Sequence, residues 1–395
     1  MKVLYVCLDP GIPVGSAKGA SVHVCEMIRA LAQEGHETAL IAREVVATPV
    51  APSLVTELGP PPHGRRLPLI GAAVMRYDDR RVRRAVSAAL RRFGPDLVYE
   101  RYALGRSAVG SIARRHGARR LLEVNAPLVA ERALVAGRNP SAAATAAEQA
   151  TWRSADLVVV PSHPLADLVR SAGQRNVVVA PNAVDPDLFT PTTGSSTALR
   201  ERLGLTDRLV VGFAGSARIW HDLPTLVAAV AMLPARMRAA LLVIGASPPE
   251  DVVSDATRRG VVLIATGPLP HQAVPAHLGC VDVAVASLRP DPNLSYFSPL
   301  KALEYLASGC PTVVADVGDL RALAECGVAM SYRAGEAASL AAAVTRVASD
   351  ASLQQRLREA GRAYALTRTW RNVAAMVVRA RNDSIARTDE PVSTS

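Results

Sequence analysis

Lysine is nearly absent from this chain. Of its 45 basic residues only Lys2, Lys18 and Lys301 are lysines, and the rest are arginines. Aromatic residues are scarce too, at 4%. A net charge of +10 would by itself point towards nucleic acid. With so few aromatics there is no stacking platform, and no recognition motif appears. Anionic small molecules or an anionic membrane surface fit the charge better. No apolar run reaches the roughly 18–20 residues that cross a bilayer. The opening Met1-Lys-Val-Leu-Tyr-Val-Cys-Leu-Asp9 lacks the apolar core and cleavage site of a signal peptide. A cytoplasmic protein is expected, with peripheral contact at the inner membrane face as the variant. The five cysteines are scattered, with no C-x-x-C among them, and there is no H-E-x-x-H. Reduced thiols and no structural zinc follow. No G-x-G-x-x-G is present, which excludes a dinucleotide fingerprint.

What is present is an alternation of apolar strand-like runs and helical patterns. The 395 residues suggest two domains of roughly 150–200 residues. Lys2 to Leu8 reads as a strand, Asp9 to Gly19 as a Gly-rich loop, and Ser21 to Glu34 as a helix with Val22, Cys25, Ile28 and Leu31 on one face. Thr38 to Ala42 follows as a second strand. Residues 47–75 read as an irregular loop. Tyr77 to Phe93 reads as a helix carrying six arginines, either a solvated face or a membrane-surface helix. Residues 192–197 look like a linker, and from Arg208 a second α/β set begins. Leu97 to Arg101 and Leu121 to Asn125 are strands; Asn125 ends the second and shares its parity with Glu123. In open α/β sheets ligands collect at such C-terminal ends.

The most informative stretch is Tyr296-Phe-Ser-Pro-Leu-Lys-Ala-Leu-Glu-Tyr-Leu-Ala-Ser-Gly-Cys-Pro311. Ser298 and Pro299 suit a helix start. Leu300, Leu303 and Leu306 give an apolar side, and Gly309 and Pro311 end the helix. Lys301 in the first turn adds positive charge to the positive end of the helix dipole, which is unfavourable. A bound phosphate would remove the conflict. Glu304 follows at i+3, and a surface Lys–Glu pair fits the same spacing.

Taken together the chain resembles the family-4 glycosyltransferases of GT-B fold. The pieces are the Gly15–Gly19 loop before the first helix and Gly35-His36 after it. Pro181-Asn-Ala-Val-Asp-Pro-Asp-Leu-Phe-Thr-Pro191 looks like an interdomain signature, and Ala214-Gly-Ser-Ala-Arg-Ile-Trp-His221 like a donor-domain Gly loop. Asp282 and the 296–311 stretch complete the set. The resemblance implies an α/β protein with two Rossmann-like domains facing a cleft. Residues 1–190 would be the acceptor side and 191–367 the nucleotide-sugar side. A helix over 368–385 would cross back to the first domain, and 386–395 would be a disordered tail.

The implied function is a retaining hexosyltransferase that moves a sugar from a nucleotide diphosphate sugar, UDP-sugar favoured, to a hydroxyl acceptor. That acceptor would be a small molecule or lipid-linked, in bacterial natural-product or cell-envelope glycoside synthesis. Glu304 matches the second glutamate of the family's E-x7-E motif, which binds the donor ribose; the first is replaced by Tyr296. Ser298, Pro299, Leu300 and Lys301 would face the diphosphate and sugar, with Gly19 approaching the phosphates from the other domain. Gly215 opens the donor loop, where Ser216 and His221 stand at the family's usual arginine and lysine positions. Arg218 and Lys301 would then stabilise the leaving diphosphate. Lys18, Arg101, Asn125 and Glu131 are the acceptor-side candidates. His23 reads as structural. Asp185-Pro-Asp187 fits D-x-D formally but reads as a turn and cap. No metal, resident cofactor or nucleic acid is implied. Two other readings are a GT-B sugar-nucleotide 2-epimerase, for which the cleft loops look poor in acids and histidines, and a non-catalytic sugar-nucleotide-binding partner protein.

Overall fold

The computed structural model describes residues 1–48, 51–61, 68–191, 195–291, 296, 298 and 300–389, with the backbone alone at 68–76, 195 and 385–389. The chain forms two compact units, Met1–Pro181 with Arg371–Ser395, and Asn182–Trp370.

The first unit runs β1 (Lys2–Cys7), α1 (Gly19–Gln33), β2 (Glu37–Ala42), β3 (Leu54–Glu57), α2 (Pro68–Phe93), β4 (Leu97–Arg101), α3 (Ala108–Arg115), β5 (Arg119–Glu123), α4 (Leu128–Val135), α5 (Ala142–Arg153), β6 (Leu157–Val160), α6 (His163–Ser171) and β7 (Val177–Val179). Its seven strands are ordered β3-β2-β1-β4-β5-β6-β7, with every neighbouring pair parallel. A parallel sheet covered on both faces needs near-continuous apolar strands. β1 and β2 are buried at every position but the first, and β4 and β6 throughout. Val82, Val86 and Leu90 of α2 and Val109 and Ile112 of α3 bury against Leu4, Val6, Ile41 and Val98. Over residues 77–93 the apolar stripe of α2 is therefore taken by the sheet, and Arg80, Arg84, Arg91 and Arg92 are exposed.

The second unit runs α7 (Ser195–Arg202), β8 (Val210–Ala214), α8 (Leu223–Ala231), β9 (Ala240–Ile244), α9 (Glu250–Arg258), β10 (Val262–Ala265), α10 (Val274–Leu278), β11 (Val283–Ala286), α11 (Leu300–Ala307), β12 (Thr312–Ala315), α12 (Gly318–Glu325), β13 (Met330–Tyr332), α13 (Ala337–Ser349) and α14 (Ala351–Thr367). Its sheet is also parallel, ordered β10-β9-β8-β11-β12-β13. Gly212 lets β8 pass β11, since a Cβ there would sit 2.3 Å from Val281 Cγ2. The final helix, α15 (Trp370–Asp389), rejoins the first unit. There Arg371 pairs with Glu34, and Arg381 Nη2 donates to the Asp96 carbonyl at 3.2 Å. Among the described residues no helix is long and apolar enough to cross a membrane.

The sequence reading differs from the structure in three places. Residues 47–75 hold an edge strand and the first turns of α2: Leu54-Val-Thr-Glu57 alternates and pairs with β2, and Pro68 opens the helix. Ser195 to Thr197 are helical rather than linker. Residues 386–389 continue α15, because Ala386-Arg-Thr-Asp389 contains no helix breaker; 390–395 lie outside the described residues. Asp282 lies just before the N-terminal end of β11. It accepts two bonds from Arg200, both 3.1 Å, and one from the Val210 N–H at 2.8 Å, so it ties strand beginnings together.

Candidate active site

The order of the second sheet reverses between β8 and β11, and ligands of open α/β sheets bind beyond strand C-termini at such a point. β8 ends in Ala214 and passes to Gly215 at φ +113°, a conformation only glycine adopts freely. Tyr305 of α11 fixes this exit. Its hydroxyl accepts from the Ala214 N–H at 2.6 Å and donates to the Ala214 carbonyl at 3.2 Å. Lys301, one turn earlier on α11, lies against Gly215. A Cβ on that glycine would be 3.4 Å from both Lys301 Cε and Nζ. The amine sits 4.0 Å over the centre of the Phe213 ring and has no hydrogen-bond partner among the described residues. Burial holds it well below the ordinary lysine range, against the pull of Glu304. The His221 ring donates from Nδ1 to the Ser216 carbonyl and closes the loop after Gly215. Burial and the neighbouring Lys301 hold this imidazole well below its usual range, with Arg218 adding to the effect. Arg218 itself is exposed, with its guanidinium 5.9 Å from the Trp220 ring centre.

Glu304 is buried on the same helix, and its Oε1 accepts from His271 Nε2 at 2.8 Å. His271 begins a 3-10 turn (His271–Ala273) after β10 and lies 5.1 Å from the Phe189 ring. Arg362 of α14 braces the assembly. Nη1 donates to the carbonyls of Phe189 at 2.8 Å and Ala307 at 2.7 Å, and Nη2 to that of Pro186 at 3.1 Å. At the start of α11, Asn182 Nδ2 donates to the Ser298 carbonyl at 2.6 Å.

The first unit has its own reversal between β1 and β4, and a buried polar cluster lies at that edge. Glu123 ends β5. Its Oε1 accepts from Arg101 Nη1 at 2.5 Å and from Asn125, and lies 3.0 Å from His23 Nε2; Oε2 accepts from the Tyr5 hydroxyl at 3.1 Å. Burial pushes this carboxyl up, but His23 and Arg101 outweigh it and hold it well below the usual range. Tyr5 stacks on Tyr99 with ring centres 4.8 Å apart. Glu148, on α5, accepts from the Val129 N–H at the start of α4, and burial raises its carboxyl to about 7.

Residues 17–188 match the family described as Glycosyltransferase Family 4, and 208–350 match Glycosyl transferases group 1. A D-inositol 3-phosphate glycosyltransferase of Geodermatophilus obscurus is 30% identical over 352 residues, covering 81% of this chain and 74% of that one. The chain belongs to glycosyltransferase family 4. The enzyme of the same name from Stackebrandtia nassauensis is 33% identical over 239 residues, covering 56% of this chain and about half, 52%, of that one. Among solved structures, sucrose-phosphate synthase from Thermosynechococcus elongatus superposes with a TM-score of 0.75 at 20% identity, over 98% of this chain and 100% of that one. Anabaena HepE in complex with UDP-glucose gives 0.73 at 17% identity, over 97% and 100%. At these identities the likeness is one of fold, the two Rossmann-like α/β units of GT-B.

Within this family-4 glycosyltransferase, the structure gathers Gly215, Ser216, His221, Lys301 and Glu304 at one sheet edge. Tyr296 is buried, Ser298 and Leu300 are half-buried at the helix start, and Pro299 lies outside the described residues. Arg101 and Asn125 meet at Glu123 in the first unit. His23, read from sequence as structural, joins them. Lys18 stands just before Gly19 at the start of α1, its amine donating to the Gly11 carbonyl at 3.1 Å, and Glu131 lies in the first turn of α4. Asp185 is the cap the sequence reading expected, with Oδ1 accepting from the N–H groups of Asp187 and Leu188. The sequence reading missed His271 and gave Asn182 no role. The available signal for His271 was one of only eight histidines, placed just beyond a strand's C-terminal end.

Proposed function

We propose that this glycosyltransferase transfers a hexose from a UDP-sugar to a hydroxyl acceptor with retention of anomeric configuration. The observation that carries the reading is the Lys301 amine. It is buried and unpartnered among the described residues, in the first turn of a helix, beside the glycine that ends β8. A diphosphate there answers the unpartnered amine, and a helix start is a ready place for one. Lys301 also occupies the neighbourhood where the family's usual loop lysine is replaced by His221. α11 thus supplies from its first turn the cation that the β8 loop lacks. Arg218, exposed on that loop, adds the second charge, and its fork suits two phosphate oxygens. Glu304, one turn along, accepts from the ribose hydroxyls.

In the reaction as proposed, the acceptor oxygen bonds to the anomeric carbon on the face from which the diphosphate leaves. The carbon–oxygen bond to the diphosphate breaks, and the departing phosphate oxygen takes the acceptor proton. The products are the glycoside and UDP. The protein contributes positioning and charge stabilisation of the leaving group, and no resident metal has a part in these steps. The first unit would bind the acceptor around Arg101, Glu123 and Asn125. The relatives are named for inositol 3-phosphate, which makes a phosphorylated cyclitol the first acceptor to try.

The experiment is UDP release from a panel of UDP-sugars with and without inositol phosphates, followed by NMR of the product. Acceptor-dependent release and a glycoside with the donor's anomeric configuration are expected. Release without glycoside overturns the transferase reading, and an inverted anomer overturns retention.

A further inference from the structure

We infer that His271 is a positioning residue for the donor's ribose: it holds Glu304 in the one orientation that presents a carboxylate oxygen to the vicinal diol. The inference rests on the ribose role of Glu304 proposed above. A glutamate side chain has enough rotamer freedom that ordering it opposes binding. Here the ordering is done before any ligand arrives. His271 Nε2 lies 2.8 Å from Glu304 Oε1, and both side chains are mostly buried, at 15% and 10% exposed. A carboxylate only accepts, so Nε2 carries the proton and donates. Among the described residues this is the one side-chain hydrogen bond of Glu304, and Oε2 is the oxygen left for the diol.

The imidazole is held in its turn. It leans on the Phe189 ring, and the carbonyl of Phe189 is bound by Arg362. The same guanidinium binds the Ala307 carbonyl at the far end of α11, the helix that carries Glu304. One arginine therefore ties the support of the histidine to the helix of the glutamate. A surface His–Glu pair would need none of this bracing. The arrangement costs the site some generality, because an oxygen fixed for a cis-diol gains less from a 2′-deoxyribose, which keeps only the 3′-hydroxyl. His271 thereby sets selectivity for ribonucleotide donors.

The test compares wild type, His271→Ala, His271→Gln and Glu304→Ala by calorimetric titration. Ligands are whichever of UDP, GDP and ADP binds tightest and its 2′,3′-dideoxy analogue. Loss of one hydrogen bond to a charged group predicts about tenfold weaker binding of the ribonucleotide by His271→Ala. Affinity for the dideoxy analogue is expected to stay unchanged. Gln places a donor near the position of Nε2, so His271→Gln restores ribonucleotide affinity to within about threefold, also a test that His271→Ala has not merely loosened the fold. Equal losses for both ligands, or no loss for either, overturn the inference. If Glu304→Ala binds the ribonucleotide as wild type does, the ribose role itself fails. If Glu304→Ala loses the discrimination and His271→Ala keeps it, only the positioning role fails. Absence of binding by every nucleotide overturns both.

Discussion

Replacing Lys301 with Met makes the sharpest case, because stability and donor binding should move in opposite directions. Methionine keeps the length of the side chain and removes the amine. In the folded protein that amine is buried, faces the Phe213 ring and lacks a hydrogen bond among the described residues. Burying a polar group without a partner costs about 1–3 kcal/mol in mutational series. The ring face returns roughly 0.5–2 kcal/mol of that to a charged amine, and less to a neutral one. A net gain of about 1–2 kcal/mol in the variant follows, which for a unit of this size raises Tm by about 2–8 °C. Donor binding should fall. Loss of a charge-assisted contact to the diphosphate, about 1.5–3 kcal/mol, is a loss of roughly 10- to 150-fold in UDP affinity.

The pH dependence separates this from generic stabilisation. The folded amine titrates well below the ordinary lysine range, while the unfolded one titrates near about 10.4. Between those two values the unfolded chain holds a proton that the folded chain lacks, so wild-type stability rises with pH across that window. Methionine does not titrate. The advantage of Lys301→Met is therefore smallest above the unfolded value and grows as pH falls towards the folded one. Calorimetric Tm at several pH values between 6 and 10, with UDP titration at pH 7.5, reads both effects. A variant less stable than wild type, or a gap that ignores pH, means the amine is satisfied in the fold. Unchanged UDP affinity means that it does not face the diphosphate.

Three further outcomes are expected. Glu304→Ala should weaken UDP binding by at least about 30-fold, since two hydroxyl bonds to a charged acceptor are lost, while far-UV circular dichroism and Tm stay near wild type. Glu123→Gln should destabilise by about 3–5 kcal/mol at pH 7, because it leaves Arg101 buried without its counter-charge. Glu123 has a depressed carboxyl, so its contribution is present above the unfolded value and is lost as pH falls through the folded one; the gap in denaturation midpoint must narrow in acid. Gly361→Ala puts a Cβ 2.8 Å from Leu306 Cδ2 where α14 meets α11. It should destabilise by about 1–3 kcal/mol and lower UDP affinity by displacing α11.

The fold was readable because parallel strands covered on both faces must be short apolar runs, and Val210-Val-Gly-Phe-Ala214 or Leu157-Val-Val-Val160 have few other uses. The edges were harder. β3 is half exposed, so its Leu54-Val-Thr-Glu57 carries weak apolar contrast amid Pro and Gly and reads as loop. Asp282 takes its role from the sheet as well: it stands before β11 and the site stretch comes after it, and a strand's ends lie on opposite edges of the sheet. Distance along the chain also hid the partnerships that give residues their roles. His271 and Glu304 are 33 residues apart, and Arg101 and Glu123 are 22 apart on different strands.

Lys301 shows where reading a sequence motif by position stops being informative. Compared by loop position, the family's cation is missing and His221 stands in its place. Compared by location in the fold, a lysine amine lies beside Gly215 and arrives from α11. Burial and the approach of Lys301 hold the His221 imidazole well below its usual range, and its Nδ1–H is spent on the Ser216 carbonyl, so it shapes the loop. Two like charges cannot share that pocket cheaply. On the proposed reading, a helix-borne lysine that meets the diphosphate requires a neutral residue on the loop. The two substitutions are one physical arrangement. It predicts that restoring His221→Lys in the presence of Lys301 lowers Tm, whereas His221→Lys together with Lys301→Met recovers UDP affinity relative to Lys301→Met alone. Failure of the double variant to recover would mean that the helix-borne cation does something the loop-borne one cannot.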